Sequence, residues 1–481
     1  MNMPAHMLIN GQWVDAAGGA RLDVRNPATG EVFASVPAAS EDDVDRAVRA
    51  AHAAFPGWAA TAPKERARVL REAARLARSR REELGRLLTM EQGKPLKEAV
   101  GEIDASADAL EYYAEEARRI YGEIFPTDRA NRRSLVIKQP VGPVAAIGPW
   151  NYPVLLLSWK VAPALAAGCT VVAKPPSVTP LAVTAFLACL QEAGLPPGAL
   201  NIVMGSGSRV GRALVQHPLI RKIAMTGQTE TGKEIMRMAA DGLKRISLEL
   251  GGHCPLIVAP DADLDQAAYG AAYRAFRNMG QICNAVNRIY VHEAVYEPFV
   301  ERLVEEARRL RIGNGLQEGV DLGPFTTEEG RETCRAHVQD AVEKGAQLLY
   351  GGREPEGEEY ARGYFYMPTV LAECHHGMRV MREETFGPVA PVMKVRDMDE
   401  AVRLANDSPY GLVAYLYTRD LKTAFEVSER LECGTVGINN VSGGEVPYPY
   451  GGWKESGIGL ELSAYGLEEY LLVKHIRMDL V

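Results

Sequence analysis

The spacing of hydrophobic residues changes along the chain, and each change predicts a different kind of structure. Residues 7–37 form short apolar runs separated by turns such as Asn10-Gly11, which predicts short strands. From Ser40, a residue suited to cap a helix, the apolar positions recur at helical spacing. Helices are predicted to follow over residues 64–121, with a break at Gly93-Lys94-Pro95.

A regular alternation of strands and helices begins at Val144 and runs to about Gly437. Its strands are short and apolar, as at Val144–Ile147 and Thr170–Lys174, and helical patterns separate them. Such alternation is typical of parallel sheets that are covered on both faces. We therefore predict an α/β fold with two series of strands, the second of which begins near Pro255.

Size and charge limit the possible functions. The chain has 481 residues, 47% of them hydrophobic, which predicts two or three domains with buried cores. Its net charge is −8 and basic residues are interleaved with acidic ones, so no nucleic-acid partner is expected. The N-terminus does not look like a signal peptide, and the most apolar run, residues 154–173, contains Lys160 and Pro163. We therefore expect a cytoplasmic protein with no membrane partner.

The seven cysteines are scattered, with no paired spacing and no clustering with histidine. This distribution predicts a reducing compartment, without disulfides and without a metal site.

Cys283 is the candidate nucleophile. A helix is predicted over Asp263–Met279, and Cys283 follows Gly280 in a loop or at a new helix start. Amides that point at the sulfur there would lower its pKa and favour the reactive thiolate. A buried structural thiol is the alternative, and it is the commoner role for a cysteine.

Two further residues are candidates for chemistry at a carbonyl group. Glu249 ends a strand-like run before Gly251-Gly252, whose missing side chains let backbones approach closely, and a carboxylate there is a candidate base. Asn151 lies in a loop after a strand, where its amide could donate to a developing oxyanion. The alternatives are a surface carboxylate and an asparagine that satisfies its own turn.

Glycine-rich turns suggest a nucleotide site. Gly205, Gly207 and Gly211 follow a predicted strand and open a helix, with one spacer more than the usual dinucleotide pattern. A second glycine turn, Thr226-Gly227-Gln228, follows the next strand. Lys174 closes an earlier strand, from which it could bind a ribose hydroxyl or a phosphate.

Together these motifs resemble the aldehyde dehydrogenase superfamily over essentially the whole chain. The motifs that carry the resemblance are Pro149-Trp150-Asn151, Lys174-Pro175, Glu249-Leu250-Gly251-Gly252, Gly280-Gln281-Ile282-Cys283, Glu383-Glu384-Thr385-Phe386-Gly387-Pro388 and Gly451-Gly452-Trp453-Lys454-Glu455-Ser456-Gly457. The resemblance implies two Rossmann-like parallel-sheet domains and a small β element for oligomerisation.

The domain boundaries expected on this basis are a dinucleotide-binding domain of residues 1–121 and 141–251 and a catalytic domain of residues 252–440. Residues 122–140 and 441–481 would form the oligomerisation element. The tail near Tyr470–Met478 is an apolar edge-strand candidate, and an uncovered strand tends to pair with another chain. We therefore expect a homodimer or homotetramer.

The resemblance also implies roles for individual residues. Cys283 would attack the aldehyde to give a thiohemiacetal, whose oxyanion Asn151 and the Cys283 amide would hold. Glu249 would activate the water that hydrolyses the resulting thioester, and Lys160 and Glu461 match a proposed proton path. The positions that match cofactor contacts are Ile147, Pro149, Trp150, Lys174, Ser177, Gly207, Gly211, Thr226, Gly227, Gln228, Leu250, Glu384 and Phe386.

One of these cofactor positions bears on the choice of nucleotide. Ser177 stands where relatives that prefer NAD usually carry a glutamate, and a serine does not repel a 2′-phosphate. NADP is therefore the favoured cofactor, with NAD also possible.

The substrate is harder to predict. Residues 112–122 and 465–470 resemble the succinate-semialdehyde branch, and Arg277 matches one carboxylate-binding arginine of that branch. A second arginine of the branch is matched here by Trp159, and a serine by Gly444. Tyr152, Trp159 and Tyr450 are expected to line the substrate tunnel.

This aromatic lining favours an apolar or aromatic aldehyde, with a carboxylated semialdehyde such as succinate semialdehyde as the alternative. Two further alternatives are an acylating enzyme and a catalytically inactive structural homologue. Glu249 argues against the acylating enzyme. The complete set of Cys283, Glu249 and Asn151 argues against the inactive homologue.

Overall fold

A computed structural model describes residues 5–480, and within them two large sheets carry most of the strands. The strands in chain order are β1 (Met7–Ile9), β2 (Gln12–Val14), β3 (Arg21–Arg25), β4 (Val32–Pro37), β5 (Glu123–Phe125), β6 (Arg132–Pro140), β7 (Val144–Ile147), β8 (Val171–Lys174), β9 (Leu200–Ile202), β10 (Lys222–Thr226), β11 (Arg245–Glu249), β12 (Cys254–Val258), β13 (Val286–His292), β14 (Gln347–Tyr350), β15 (Thr369–Ala372), β16 (Val389–Val395), β17 (Tyr410–Gly411), β18 (Val413–Tyr417), β19 (Thr435–Ile438), β20 (Trp453–Lys454), β21 (Gly457–Ile458) and β22 (Leu471–Asp479).

The α-helices lie between and around these strands. They are α1 (Glu41–Ala60), α2 (Pro63–Ser79), α3 (Arg81–Gln92), α4 (Leu96–Glu116), α5 (Pro153–Ala167), α6 (Leu181–Glu192), α7 (Arg212–Gln216), α8 (Thr229–Ala240), α9 (Leu264–Phe276), α10 (Tyr296–Arg309), α11 (Glu328–Glu343), α12 (Met398–Asn406), α13 (Leu421–Arg430) and α14 (Ser463–Glu468). Ser40 caps α1 through a capping box with Asp43, as predicted, and α3 and α4 are separated at the predicted break.

The first sheet has eight strands in the order β2-β1-β9-β8-β7-β10-β11-β21, of which β7 to β11 run parallel. Along β8, Val171 and Ala173 pack in one hydrophobic cluster with helices α2 to α6. Val172, between them, packs in another cluster with α1, α7 and α8. This period of two, with apolar residues on both faces, confirms the predicted α/β sheet with helices on each side.

The strand order places a crevice beside β7. The chain adds β8 and β9 on one side of β7, then returns to add β10 and β11 on the other side. The loops that follow Ile147 at the end of β7 and Thr226 at the end of β10 therefore lead to opposite faces of the sheet. Ligands in doubly wound folds bind at such a switch point, outside the carboxyl ends of the strands.

The second sheet has seven strands in the order β14-β15-β16-β13-β12-β18-β19, and all its neighbours are parallel except β14 with β15. Helix α9 covers it, capped at its start by the Asp263 side chain and followed by a 3-10 turn over Arg277–Gly280. The predicted helix over Asp263–Met279 thus ends as an α-helix three residues early.

A three-stranded sheet in the order β22-β6-β5 stands apart from the two large ones. Strand β22 pairs antiparallel with β6 along its whole length, from Leu471 with Pro140 to Asp479 with Arg132. The predicted C-terminal strand is therefore confirmed. Most of its side chains are exposed, including Val473 at 69%. The domain boundaries stay a prediction.

Two further observations concern the whole of the part described, residues 5–480. None of its helices combines the length and the apolar character needed to cross a bilayer. All seven cysteines are free, and six of them are buried.

Candidate active site

Cys283 lies in the loop that leads into β13, and it alone of the seven cysteines is partly exposed. The loop begins with three left-handed residues, Asn278 (φ 49°), Met279 (φ 58°) and Gly280 (φ 69°). The first two lack the freedom of glycine, so this turn is strained. The Cys283 sulfur lies 3.8 Å from the hydroxyl of Tyr450.

The expected lowering of the Cys283 pKa is wrong. Burial raises the pKa of Cys283 well above that of an ordinary thiol, and the nearby carboxylate of Glu249 raises it further. The physical reason is that Cys283 lies in a turn and not at a helix start, and that the Glu249 carboxylate lies beside its sulfur. The thiol must therefore lose its proton as it attacks, and Glu249 is positioned to take it.

Glu249 is the last residue of β11, where it pairs with Thr226 on one side and Gly457 on the other. Its side chain is buried, and neither carboxylate oxygen has a hydrogen-bond partner among residues 5–480. Burial, together with the charge of Glu461, raises the pKa of Glu249 to about 7. A carboxylate of this kind can accept and release a proton near neutral pH.

Gly252 allows the backbone after β11 to pack against the loop that carries Cys283. A Cβ atom at Gly252 would lie 2.1 Å from the carbonyl oxygen of Cys283, and one at Gly251 would lie 2.9 Å from Oε2 of Glu384. The first distance is too short for any side chain, because the neighbour is backbone. The prediction of a close backbone approach is therefore confirmed at Gly252.

Asn151 lies in the loop between β7 and α5, with its side chain beside the nucleophile loop. Its Nδ2 donates to the carbonyl oxygen of Gln281, two residues before Cys283, at 3.0 Å. An amide nitrogen has two hydrogens, so the second remains available to another acceptor. The structure therefore brings Asn151, Glu249 and Cys283 together at one place.

A buried ion pair that the sequence did not reveal holds the Asn151 loop. The Lys94 ammonium group donates to the backbone carbonyl of Asn151 at 2.8 Å and to Oε2 of Glu102 at 2.6 Å. Both charged side chains are fully buried. The other Glu102 oxygen accepts the first amides of α5, so the pair fixes the backbone at Asn151 and the start of the helix that follows. The helix break at Lys94 was the only feature of the sequence that pointed to this ion pair.

Gln92, at the same helix break, supports the strained turn of Asn278–Gly280. Its Nε2 donates to Oδ1 of Asn278 at 3.1 Å and to the hydroxyl of Thr326 at 3.0 Å. Gln281 completes the set, since its side chain accepts the amide of Thr326 and donates to the carbonyl of Asn278. The turn before Cys283 is thus held by residues that are distant in sequence.

Lys160 and Glu461 form a second buried ion pair, with 2.6 Å between Nζ and Oε1. Lys160 also donates to the hydroxyl of Thr226 at 2.7 Å, and Thr226 pairs with Glu249 in the sheet. The structure therefore places the predicted proton-path residues beside the candidate base.

The predicted tunnel residues are also neighbours of the nucleophile. Trp159 and Tyr450 pack edge to face with 5.7 Å between ring centroids, and Tyr450 contacts Cys283. Tyr152 lies under the Lys94 ammonium group, 3.5 Å from the ring centroid. The Tyr152 hydroxyl and the Trp159 indole nitrogen are buried and have no partner among residues 5–480. The wall is therefore aromatic, but it presents polar atoms.

Arg277 is already engaged within the protein. Its guanidinium group lies 3.4 Å from the carboxylate of Glu98 and donates to the hydroxyl of Tyr273 at 2.8 Å. Its charge is thus partly neutralised before any substrate binds.

Lys174, at the end of β8, is suited to hold a nucleotide. It is buried, its Nζ donates only to the carbonyl of Pro175 at 3.2 Å, and no carboxylate lies in salt-bridge reach in the described part of the chain. Burial lowers the pKa of Lys174 to about 8. A buried cation without a counter-charge is costly, so an anionic or hydroxyl-bearing ligand fits here.

Two glycine turns frame the same crevice. Gly207 and Gly211 bound a single π-helical turn that leads from β9 to α7, and Ser177 donates to the carbonyl of Gly205 at 2.9 Å. Gly227 and Gln228 precede α8, whose first amides receive no side-chain cap. Uncapped amides at a helix start suit a pyrophosphate.

Leu250 and a third loop close the crevice. A Cβ atom at Gly232 on α8 would lie 2.6 Å from the Leu250 side chain, so Leu250 packs directly on that helix. Glu384 accepts the amide of Gly252 at 3.1 Å, and burial raises the pKa of Glu384 to about 8.

The rings of Trp150 and Phe386 meet edge to face, 5.5 Å apart. Ile147 and Pro149 lie at the end of β7 and just after it. The predicted cofactor residues therefore fit a dinucleotide that lies across the switch point, with its phosphates near α8.

Comparisons with known proteins agree with this site. The profile of the aldehyde dehydrogenase family matches residues 13–476. The NADP(+) succinate-semialdehyde dehydrogenase GabD of Escherichia coli K12 is 46% identical over 474 residues, which are 98% of this chain and 97% of that one.

Glutarate-semialdehyde dehydrogenase of Pseudomonas putida KT2440 is 45% identical over 97% of this chain and 96% of its own. Betaine aldehyde dehydrogenase of Staphylococcus aureus, solved with NAD+, has a TM-score of 0.97 at 37% identity and covers 99% of this chain and 95% of that one. The resemblance to the superfamily, its fold and the succinate-semialdehyde branch is confirmed, and the chain belongs to the aldehyde dehydrogenase family.

Proposed function

We propose that the protein oxidises an aldehyde with a second, anionic end to the corresponding carboxylate, with succinate semialdehyde as the first candidate. The observation that carries this proposal is the likeness, at 45–46% identity over nearly the whole chain, to two enzymes named for semialdehydes of this kind. The aromatic lining had favoured an apolar or aromatic aldehyde. These relatives support the alternative, a carboxylated semialdehyde, better than they support that first prediction. The unpartnered polar atoms of Tyr152 and Trp159 support a polar substrate as well.

The first half of the reaction forms a bond to sulfur. Cys283 attacks the aldehyde carbon as its proton passes to Glu249, which gives a thiohemiacetal. The free N–H of Asn151 and the amide of Cys283 stabilise the oxygen as it gains charge. Loss of hydride from this carbon would leave a thioester on Cys283, and a nicotinamide nucleotide held by Lys174 and Glu384 would supply the hydride acceptor.

The second half releases the acid. Glu249, once the first proton has left it, takes a proton from a water molecule, which attacks the thioester carbon. The C–S bond breaks, the carboxylic acid leaves, and the Cys283 sulfur takes the proton from Glu249 to restore the thiol. The Lys160–Glu461 pair lies beside Glu249 and offers a route by which the proton leaves.

Residues of the crevice and one relative support NADP as the favoured cofactor. Ser177 adds no negative charge near the ribose, and the Escherichia coli relative is named for NADP(+). NAD is also possible, since the Staphylococcus aureus relative was solved with NAD+. Lys174, Glu384 and the start of α8 would hold either nucleotide.

The exposed strand β22 supports a homodimer or homotetramer, because its outer edge has no partner strand among residues 5–480. A cytoplasmic location stays a prediction.

A substrate panel tests the proposal. Succinate semialdehyde, glutarate semialdehyde, butanal and benzaldehyde are each assayed with NADP+ and with NAD+, and Cys283→Ala serves as the inactive control. We expect kcat/KM for the two semialdehydes to exceed that for butanal and benzaldehyde by about 100-fold, the worth of a bound charge.

Higher kcat/KM with benzaldehyde would restore the apolar alternative. Formation of an acyl-coenzyme A product would indicate an acylating enzyme. Failure to bind either nucleotide would indicate an inactive homologue.

A further inference from the structure

A second arginine, Arg274, lies one helical turn before Arg277 on α9 and is almost completely buried, with 3% of its surface exposed. Its Nη1 donates to Oδ1 of Asn284 at 3.2 Å, and its Nη2 donates to the carbonyl of Val441. Its Nε has no hydrogen-bond partner in the described part of the chain. No carboxylate among residues 5–480 lies within 4.0 Å of this guanidinium group, so the buried charge has no ion-pair partner.

Arg274 is close to the nucleophile through a short series of contacts. Asn284 follows Cys283 directly and joins Arg274 to the hydroxyl of Tyr450, to which its Nδ2 donates at 3.3 Å. That hydroxyl lies 3.8 Å from the Cys283 sulfur. Two side chains, those of Tyr450 and Asn284, therefore join the sulfur to Arg274.

Two glycines, Gly443 and Gly444, lie beside Arg274 and the aromatic wall. A Cβ atom at Gly443 would lie 3.8 Å from both terminal nitrogens of Arg274. A Cβ atom at Gly444 would lie 3.0 Å from Trp159 and 3.2 Å from Tyr450, the aromatic residues of the tunnel wall. The backbone of Gly443 and Gly444 therefore packs directly against both the cation and the aromatic wall.

Arg274 and Arg277 differ in how their charges are compensated. Both lie near the ring of Tyr273, at 5.8 Å and 5.4 Å from its centroid. Arg277 has the Glu98 carboxylate 3.4 Å away, whereas Arg274 has backbone and amide oxygens only. A ligand anion gains more from a cation that has no counter-charge.

We propose that Arg274 binds the distal carboxylate of the substrate and so determines the preference for anionic semialdehydes. This assignment rests on the proposed function. The succinate-semialdehyde branch has a second arginine at the position of Trp159 in this chain. Arg274 would supply the positive charge that Trp159 lacks.

The test compares two aldehydes of equal carbon number, succinate semialdehyde and butanal, in the wild type and in Arg274→Gln. We expect the KM for succinate semialdehyde to rise about 30-fold in the variant, because a charge-assisted contact is lost. The KM for butanal should change less than about threefold, because butanal has no anion to bind. A residue that only fastens the Val441 loop would affect both substrates alike, and that result would overturn the proposal.

A second readout guards against an unstable variant. Arg274→Lys keeps the charge but loses the forked geometry, so we expect a smaller rise in KM, again confined to succinate semialdehyde. Succinate should inhibit butanal oxidation by the wild type, and less strongly in both variants. Equal inhibition in all three proteins would overturn the assignment.

Two outcomes separate this inference from the proposed function. A wild type that oxidises neither aldehyde, with either nucleotide, would overturn the function and the inference together. A wild type that prefers succinate semialdehyde, with a preference that Arg274→Gln leaves intact, would overturn the inference alone. If Arg277→Gln abolished that preference while Arg274→Gln did not, Arg277 would be the anchor.

Discussion

The ammonium group of Lys94 lies 2.8 Å from the backbone carbonyl oxygen of Asn151, although the two residues are 57 positions apart in the chain. This contact fixes the loop that carries Asn151, whose side chain lies beside the nucleophile loop. Because Lys94 is paired with Glu102 and both are fully buried, the contact belongs to a rigid ion pair and not to a mobile surface lysine.

Replacing Lys94 with methionine should reduce both catalysis and stability. The variant leaves the Glu102 carboxylate buried without its partner, which costs about 3–5 kcal/mol of unfolding free energy. The Asn151 loop loses its anchor, and a misplaced oxyanion donor should lower kcat at least about 10-fold with little change in KM. Chemical denaturation and steady-state kinetics measure the two effects. Lys64→Met, at an exposed position, is the matched control.

A Lys94→Met enzyme that unfolds more easily but keeps its kcat would show that the ion pair serves stability alone.

Glu249→Gln should separate the two halves of the reaction. Glutamine cannot take a proton from water, so steady-state turnover should fall by about 100-fold or more. A burst of reduced nucleotide, close to one equivalent per subunit, should still appear because the thioester forms before its hydrolysis, but the burst should be slower because glutamine cannot accept the Cys283 proton either. Rapid-mixing absorbance at 340 nm follows both phases, and Cys283→Ala should show neither. Unchanged turnover after the burst would exclude Glu249 as the base for hydrolysis.

Hydrolysis of the thioester should depend on pH through Glu249. Only the ionised carboxylate acts as a base, and its pKa is raised to about 7, so the hydrolysis rate should increase with pH through about 7 and then level off. The charge of Glu461 contributes to that raised pKa, so Glu461→Gln should move the midpoint to lower pH. Release of acid from the preformed acyl-enzyme, measured across pH 5.5–8.5, checks the direction. An upward shift would contradict the assigned cause.

Ser177→Glu should change the cofactor preference. A carboxylate near the ribose would repel a 2′-phosphate and accept a hydrogen bond from a 2′-hydroxyl. Like charges in contact cost about 2 kcal/mol or more, so kcat/KM for NADP+ should fall at least about 30-fold while the value for NAD+ rises. Ser177→Gln, of equal size but uncharged, is the control and should alter the ratio much less. Equal effects from both variants would mean that size, not charge, matters at this position.

Val473→Asp should weaken the assembly of subunits. Val473 is 69% exposed on β22, so the substitution should cost little in an isolated subunit, yet it would place a charge in a strand-to-strand interface. Light scattering should report a dimer or tetramer for the wild type and smaller species for the variant. Leu243→Asp, at a site that is 92% exposed, should leave the mass unchanged. A wild type that is monomeric would refute the expected assembly.

The fold was predictable because its signals are local. Val171, Val172 and Ala173 are all apolar, which is what a strand covered on both faces requires, and Ser40 caps its helix where a cap was expected. The chemistry of Cys283 was less predictable. Its pKa depends on burial and on Glu249, which is distant in sequence, and neither leaves a local pattern.

The supporting residues were missed for the same reason. Gln92 meets Asn278 across 186 positions, and Lys94 looked like part of an ordinary helix break. Arg277 was identified by its match to a family motif, but the motif says nothing of Glu98, whose carboxylate already faces it.

Asn278 and Met279 hold left-handed conformations that cost about 1–3 kcal/mol each, and the hydrogen bonds that Asn278 receives from Gln92, 186 positions away, and from Gln281 offset part of that cost. Such a turn can relax when a distant partner is exchanged, while the two sheets beneath it remain intact. Substitutions at Gln92 or Thr326 are therefore expected to reduce catalytic activity more than they reduce the stability of the fold. Descendants of this gene that drift at those positions should persist as stable proteins without activity.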